Sequence, residues 1–109
     1  MTMAFARAAT VTATTKRATL SGGTSTGYVT HLSGVKCLPL MSVDPETRNR
    51  PELQTFHEVK ETFVDGGLDI MEGDKLVIGS VEYPIRAVDE QPWLFGGSYL
   101  RLLVEELKR

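Results

Sequence analysis

Two short apolar runs on either side of Gly79-Ser80 place the strongest constraint on the fold of this chain. Residues 76–78 precede this two-residue link, and residues 81–88 follow it. The apolar positions of the second run alternate: Val81, Tyr83, Ile85 and Ala87. Alternation with a period of two predicts a β-strand with one buried face. Because glycine at the first position of a two-residue link favours a type II′ turn, the sequence predicts an antiparallel hairpin here.

Strand patterns recur along the rest of the chain, at residues 5–14, 28–40, 56–64 and 98–107. A glycine inside the second of these predicts a bulge at Ser33-Gly34. In the last strand the pattern places Leu100, Leu102 and Val104 inward, and Arg101 and Glu105 outward. Six short strands joined by turns predict an all-β fold, a small antiparallel β-barrel with a long loop between strands 2 and 3.

The segments between the strands set the expected organisation. Residues 15–27 are rich in glycine, serine and threonine, which predicts a flexible loop. With the strand before it, this loop forms an N-terminal arm over residues 1–27, and the barrel domain follows over residues 28–109. At 109 residues the chain has the length of a single domain.

Residues 89–97 form a second long link, which carries the aromatic residues Trp93 and Phe95. Large aromatic side chains in such a link either plug one end of a barrel or anchor a partner, as aromatic residues often do at binding hot spots. We therefore name both as candidate partner contacts.

Several broad classes are disfavoured by composition. Cys37 is the only cysteine, so an intrachain disulfide is excluded. The apolar runs are too short to cross a bilayer, and we expect no membrane partner. The acid-free, arginine-containing start resembles an organelle transit peptide, but the β-branched run over residues 10–15 favours a strand instead.

No residue pattern indicates catalysis, a cofactor or a metal site. His31, Cys37 and His57 are scattered and lack the close paired spacing of zinc ligands. The glycine-rich residues 22–27 lack the lysine that ends a phosphate-binding loop, and the acidic residues 65–74 lack the frame of a calcium loop. We expect a protein that is not an enzyme.

Charge is unevenly distributed along the chain. Residues 1–43 contain four bases and no acid, whereas residues 51–109 contain twelve acids and six bases. Such asymmetry is typical of interaction surfaces. Arg7, Lys16 and Arg17 are therefore further candidate partner contacts, and the basic and acidic parts of neighbouring copies are expected to meet head to tail.

Residues 41–54 form a long polar connection with its own local signals. Asp44 is placed to cap one helical turn with Pro45 at its first position, and Pro51 disfavours helix at Arg50. Long connections in small domains are often functional. Since loop-closure entropy rises slowly with length, we expect shortening to change the folding free energy by only about 1 kcal/mol. The candidate functional residues are Met41, Asp44, Glu46, Arg48, Arg50 and Glu52.

The C-terminal half resembles the head closure proteins of tailed bacteriophages, also called stopper or head–tail joining proteins. The resemblance lies in the run Gly-Asp-Lys-Leu-Val-Ile-Gly-Ser-Val-Glu-Tyr-Pro-Ile-Arg-Ala-Val at residues 73–88 and in Tyr-Leu-Arg-Leu-Leu-Val at residues 99–104, and it extends over residues 28–107. It implies a homo-oligomeric ring of six or twelve copies in the virion neck, assembled in the host cytoplasm. It further implies that residues 41–54 project into the DNA channel and gate it.

The resemblance also implies the partners of the ring. The portal or adaptor protein lies on one side, the tail or tail terminator lies on the other, and packaged DNA passes nearby. Two alternatives stay open. The chain is a different neck component, such as an adaptor or tail terminator, or it is a small barrel like an oligonucleotide-binding fold, with Lys16, Arg17 and Lys36 on the phosphate backbone.

Overall fold

The computed structural model describes residues 9–21, 24–54, 56, 58–92 and 97–106. It contains seven strands, one helical turn and one 3-10 turn. In chain order these are β1 (Val11–Ser21), β2 (Thr24–Cys37), β3 (Met41–Ser42), α1 (Pro45–Arg48), the 3-10 turn (Pro51–Leu53), β4 (Val59–Asp65), β5 (Lys75–Ile78), β6 (Val81–Pro92) and β7 (Ser98–Glu105).

All neighbouring strands pair antiparallel in one sheet of order β2-β1-β5-β6-β7-β4-β3. The backbone N–H of Leu38 donates to the carbonyl of Phe63 (3.2 Å), and Thr62 Oγ1 donates to the carbonyl of Leu38 (2.6 Å). The chain just after β2 therefore meets β4, which brings the two ends of the sheet together without a continuous ladder. The predicted small antiparallel all-β domain is confirmed, as a curled and open sheet with seven strands.

Two hydrophobic clusters lie on opposite sides of this sheet. The interior core draws on six strands and the link before β5: Ala13, Val35, Cys37, Val64, Ile70, Leu76, Ile85, Leu100, Leu102 and Val104. The outer core contains Leu53, Val59, Ala87 and Leu103, with Val43 and Phe56 packed against them. Leu102 and Leu103 are both 0% exposed. Because consecutive strand residues point to opposite faces, β7 is covered on both sides.

The prediction of a loop over residues 15–27 is wrong for residues 15–21 and 24–27, because these belong to the paired strands β1 and β2. Thr15 is fully buried, and its Oγ1 accepts a hydrogen bond from the backbone N–H of Leu32 (3.1 Å). The threonine-rich composition here reflects strand propensity and not chain flexibility. β1 is an inner strand of the sheet, between β2 and β5.

The predicted bulge at Ser33-Gly34 is confirmed. Ala13 pairs with Val35 and Thr15 with Leu32, so two residues of β2 lie opposite one residue of β1. Gly34 has a φ of 68°, in the left-handed region that glycine enters without strain.

The predicted β5–β6 hairpin is also confirmed. Ile78 pairs with Val81 across the turn, and Gly79 has a φ of 63°. A positive φ at the first central residue alone is the signature of a type II′ turn.

β6 differs from its prediction in two ways. A bulge between Ile85 and Ala87 shifts the alternation, so Ile85 enters the interior core and Ala87 the outer core, while Val81 is exposed. The strand also runs on to Pro92, which pairs with Ser98. The predicted link over residues 89–97 is therefore wrong for its first four residues, which are strand.

Candidate partner-binding surfaces

We call residues 41–54 the connecting segment. It begins with β3 and continues into the helical turn α1. Asp44 Oδ1 accepts a hydrogen bond from the backbone N–H of Thr47 (2.6 Å), and Pro45 occupies the first turn. The predicted cap and helical turn are thus confirmed. The Thr47 hydrogen bond lowers the pKa of Asp44, so this carboxylate stays charged at a lower pH than a free aspartate does.

Leu53 fastens the connecting segment to the sheet. Its side chain is 0% exposed and lies in the outer core with Val59 and Leu103. The segment is therefore a packed layer over β7 and its neighbours. This packing corrects the expectation that the segment contributes little to stability, because removing Leu53 would uncover the outer face of β7.

The two arginines of the connecting segment bind groups of the domain itself. Arg48 donates to the carbonyl oxygens of Leu53 (2.6 Å) and Phe56 (2.8 Å), and Arg50 forms an ion pair with Asp89 (2.8 Å). Arg48 therefore closes the segment on itself and on residue 56, while Arg50 ties it to β6. Their assignment as functional residues of the segment remains a prediction.

The other candidates of the segment lie at its surface. Met41, Asp44 and Glu46 are exposed, and the side chain of Asp44 is 60% exposed. The backbone of Glu52 lies in the 3-10 turn, while its side chain is outside the described structure. The solvent side of the segment thus presents two carboxylates.

Arg101 ties α1 to the sheet, a contact that the sequence did not predict. Its Nε donates to Glu61 Oε2 (2.6 Å), its Nη2 donates to Thr47 Oγ1 (2.9 Å), and Asp44 Oδ2 lies 3.8 Å away. The sequence predicts only that Arg101 is an outward-facing strand residue. No residue near it in the chain indicates that a segment more than fifty residues away covers it.

Arg86 and Glu105 form an ion pair on the same face of the sheet, in which Glu105 is buried and Arg86 is partly exposed. Arg86 donates through Nη2 (2.6 Å) and Nε (2.9 Å) to Glu105 Oε1, and its guanidinium lies 4.6 Å from the ring centroid of Phe56. Glu105 lies on the outer face of β7, as the alternation predicted, opposite Val59 of the outer core. It is buried nonetheless, because that face is covered.

Lys16 lies on the outer face of the sheet, since Thr15 beside it is buried in the interior. Lys36 and Lys75 share this face: Lys36 lies opposite Thr12, and Lys75 lies opposite Lys16. We call Lys16, Lys36 and Lys75 the lysine face. β1, β2 and β5 contain no carboxylate.

Partners of the lysine face are few. Lys16 (2.8 Å) and Lys75 (3.4 Å) share the carboxylate of Glu82, and Lys16 lowers the pKa of that group. Lys75 Nζ also lies 4.2 Å from the ring centroid of Tyr28. Lys36 donates to the hydroxyl of Thr12 (2.7 Å). The face therefore carries a surplus of positive charge.

Arg17 lies on the opposite face of β1 from Lys16, so the side chains of these two candidate partner contacts point in different directions. Its guanidinium donates to both oxygens of the buried Asp74 (3.0 and 2.9 Å) and to Asp69 (3.0 Å). These carboxylates raise the pKa of Arg17, and the same contact lowers the pKa of Asp69. His31 Nε2 lies 3.2 Å from Asp69. The cluster joins the hairpin to the link before β5.

Three candidate partner contacts, Arg7, Trp93 and Phe95, lie outside the described residues and remain predictions. Within the described ranges, no three His, Cys, Asp or Glu residues form a group that could hold a metal ion. Burial raises the pKa of the Cys37 thiol, which disfavours the reactive thiolate. In the part of the chain that is described, no helix has the length and apolar character needed to span a bilayer.

Comparisons of the chain with models of protein families, with curated proteins and with solved structures found no match.

Proposed function

We propose that this chain is a structural subunit of the neck of a tailed bacteriophage, where copies form a ring that closes the DNA channel and receives the tail. Support comes from the resemblance over residues 28–107. The hairpin around Gly79 and the strand β7, which carry that resemblance, are regular elements of the fold. The portal or adaptor protein on one side and the tail or its terminator on the other are the partners in this proposal.

One observation carries the proposal furthest: the connecting segment is a packed layer that presents exposed residues on the outside of the curled sheet. Leu53 and Arg50 attach it to the sheet, while Met41 and Glu46 face solvent. A preorganised surface loses little conformational entropy when it binds a neighbour. In the proposed ring this surface contacts another component of the neck or lines the channel as a fixed wall.

The test uses heads that the virus assembles without this chain. We expect such heads to lose their DNA, and purified protein added before DNA loss to keep them full and able to accept tails. The measurement is the ratio of full to empty heads by electron microscopy. Heads that stay full and accept tails without the chain would overturn the proposal.

A pair of variants examines the connecting segment in the same assay. Met41→Ser changes an exposed apolar residue of the segment, and Val81→Ser changes a similarly exposed residue elsewhere, at 39% and 48% exposure. We expect fewer full heads with Met41→Ser and no change with Val81→Ser. Equal numbers of full heads with the two variants would show that the connecting segment plays no part in closing the channel.

The second candidate function, a small nucleic-acid-binding barrel, is favoured by the lysine face. Lys75 Nζ lies over the ring of Tyr28, a residue that is 41% exposed, and basic surfaces with exposed aromatics bind single strands. Fluorescence anisotropy with a labelled single-stranded oligonucleotide at low salt separates the two functions. Binding that Tyr28→Ala and Lys75→Ala both weaken would favour this candidate over the neck subunit.

A further inference from the structure

The lysine face and the connecting segment lie on opposite sides of the barrel. The lysine face is centred on β1, and the connecting segment covers the outer face of β7. Along the sheet, β5 and β6 separate β1 from β7. In the other direction β2, through the Leu38 contact, and β4 separate them. With two strands between them either way round, the outer faces of β1 and β7 point away from each other.

The lysine face is open to a partner. Lys36 has no carboxylate partner within the described ranges, and Lys16 and Lys75 share one glutamate. Tyr28 and Thr30 beside them are exposed. Where the chain is described, β2 forms ladder pairs with β1 alone, and β4 approaches its other edge only at Leu38, where β2 ends. An exposed strand edge is a recognised docking surface.

The solvent side of the connecting segment has the opposite charge. Asp44 and Glu46 are exposed, and Glu46 makes no ion pair with any described residue. Arg101 Nη2 lies 3.8 Å from Asp44 and offsets part of its charge. The arginines of the segment itself are directed inward, Arg48 to backbone carbonyls and Arg50 to Asp89. Negative charge therefore faces outward on one side of the barrel, and positive charge on the other.

We propose that the lysine face binds the connecting segment of a second copy of this chain, with Asp44 and Glu46 of one copy facing Lys16, Lys36 and Lys75 of the next. The proposal rests on the ring of the proposed function and names the surfaces that close it. Different patches on opposite sides make a heterologous contact, which propagates and closes into a ring when the rotation between copies allows. The second copy is favoured over a nucleic acid because the chain itself carries the complementary charges.

The test is a charge exchange followed by light scattering after size-exclusion chromatography at low salt. Lys36→Glu and Glu46→Lys each replace an attraction by a repulsion, and we expect each to weaken self-association about tenfold. The double variant restores opposite charges across the contact, so it should recover the mass of the wild-type assembly. Circular dichroism confirms that each variant is folded.

Glu90→Lys is the matched control, since it makes the same change of net charge as Glu46→Lys at an exposed residue of β6. It should leave the mass unchanged. A wild-type chain that stays monomeric, single variants that assemble normally, or a double variant that does not recover would each overturn this contact. Assembly that requires added single-stranded DNA would also overturn it, since the occupant would then be a nucleic acid. The full-head assay decides the neck function separately, whichever surfaces meet.

Discussion

Replacing Leu53 by alanine removes the side chain that holds the connecting segment to β7. Leu53 is 0% exposed and packs with Val59, Ala87 and Leu103. Truncation of a buried leucine costs about 2–5 kcal/mol, through lost burial and the cavity left behind. The outer core is small and one of its walls is a surface layer that relaxes, so we expect about 3 kcal/mol. For a domain of this length, that corresponds to a fall in Tm of roughly 15 °C.

The assay is urea unfolding followed by far-ultraviolet circular dichroism, with two controls. Leu102→Ala, in the interior core, should cost a similar amount, and Met41→Ala, at an exposed position of the same segment, should cost less than about 1 kcal/mol. If Leu53→Ala were as mild as Met41→Ala, the segment would not be a packed layer. The rigid surface on which the proposed function depends would then be refuted.

Two further predictions concern the hairpin turn and the acid end of the stability profile. Gly79→Val should destabilise the fold by about 1–2 kcal/mol, because valine resists the positive φ of this position while a Cβ there meets no other atom. Ser80→Val, in the same turn, should cost less. Equal melting temperatures for the two variants would contradict the turn assignment. Arg17 lowers the pKa of Asp69 in the folded state, so this contribution to stability is complete above about pH 4 and is lost as pH falls through the folded pKa. In Asp69→Asn the free energy of unfolding should fall less steeply as the pH is lowered, and in Glu72→Gln it should fall as in the wild type. An unaltered pH dependence in Asp69→Asn would contradict a stabilising interaction between Arg17 and Asp69.

Local chemistry was sufficient to predict several elements of the fold. The cap at Asp44, the turn at Gly79 and the bulge at Gly34 each depend on one residue's backbone preference or hydrogen-bonding group. Such preferences act over a few residues, so they can be recognised in a sequence without knowledge of the tertiary structure. The alternation of Leu100 and Leu102 likewise identified the interior face of β7.

Contacts between distant segments were not predictable in this way. Threonines around Thr15 read as a loop because their strand partner was not identified, and Glu105 read as exposed because the layer over β7 comes from residues 41–54. The burial of Leu53 and the ion pair between Arg17 and Asp74 also depend on tertiary packing. The cap and helical turn of the connecting segment were thus predicted correctly, while its packing was not, and its role as a functional site stays a prediction.

Electron cryomicroscopy of the neck of the intact virion tests the central claim most directly. We predict a ring of density between head and tail into which copies of this seven-stranded domain fit, with the connecting segment of each copy against the next or toward the channel. A neck whose density is fully accounted for by other proteins, with this chain absent from the purified particle, would contradict it.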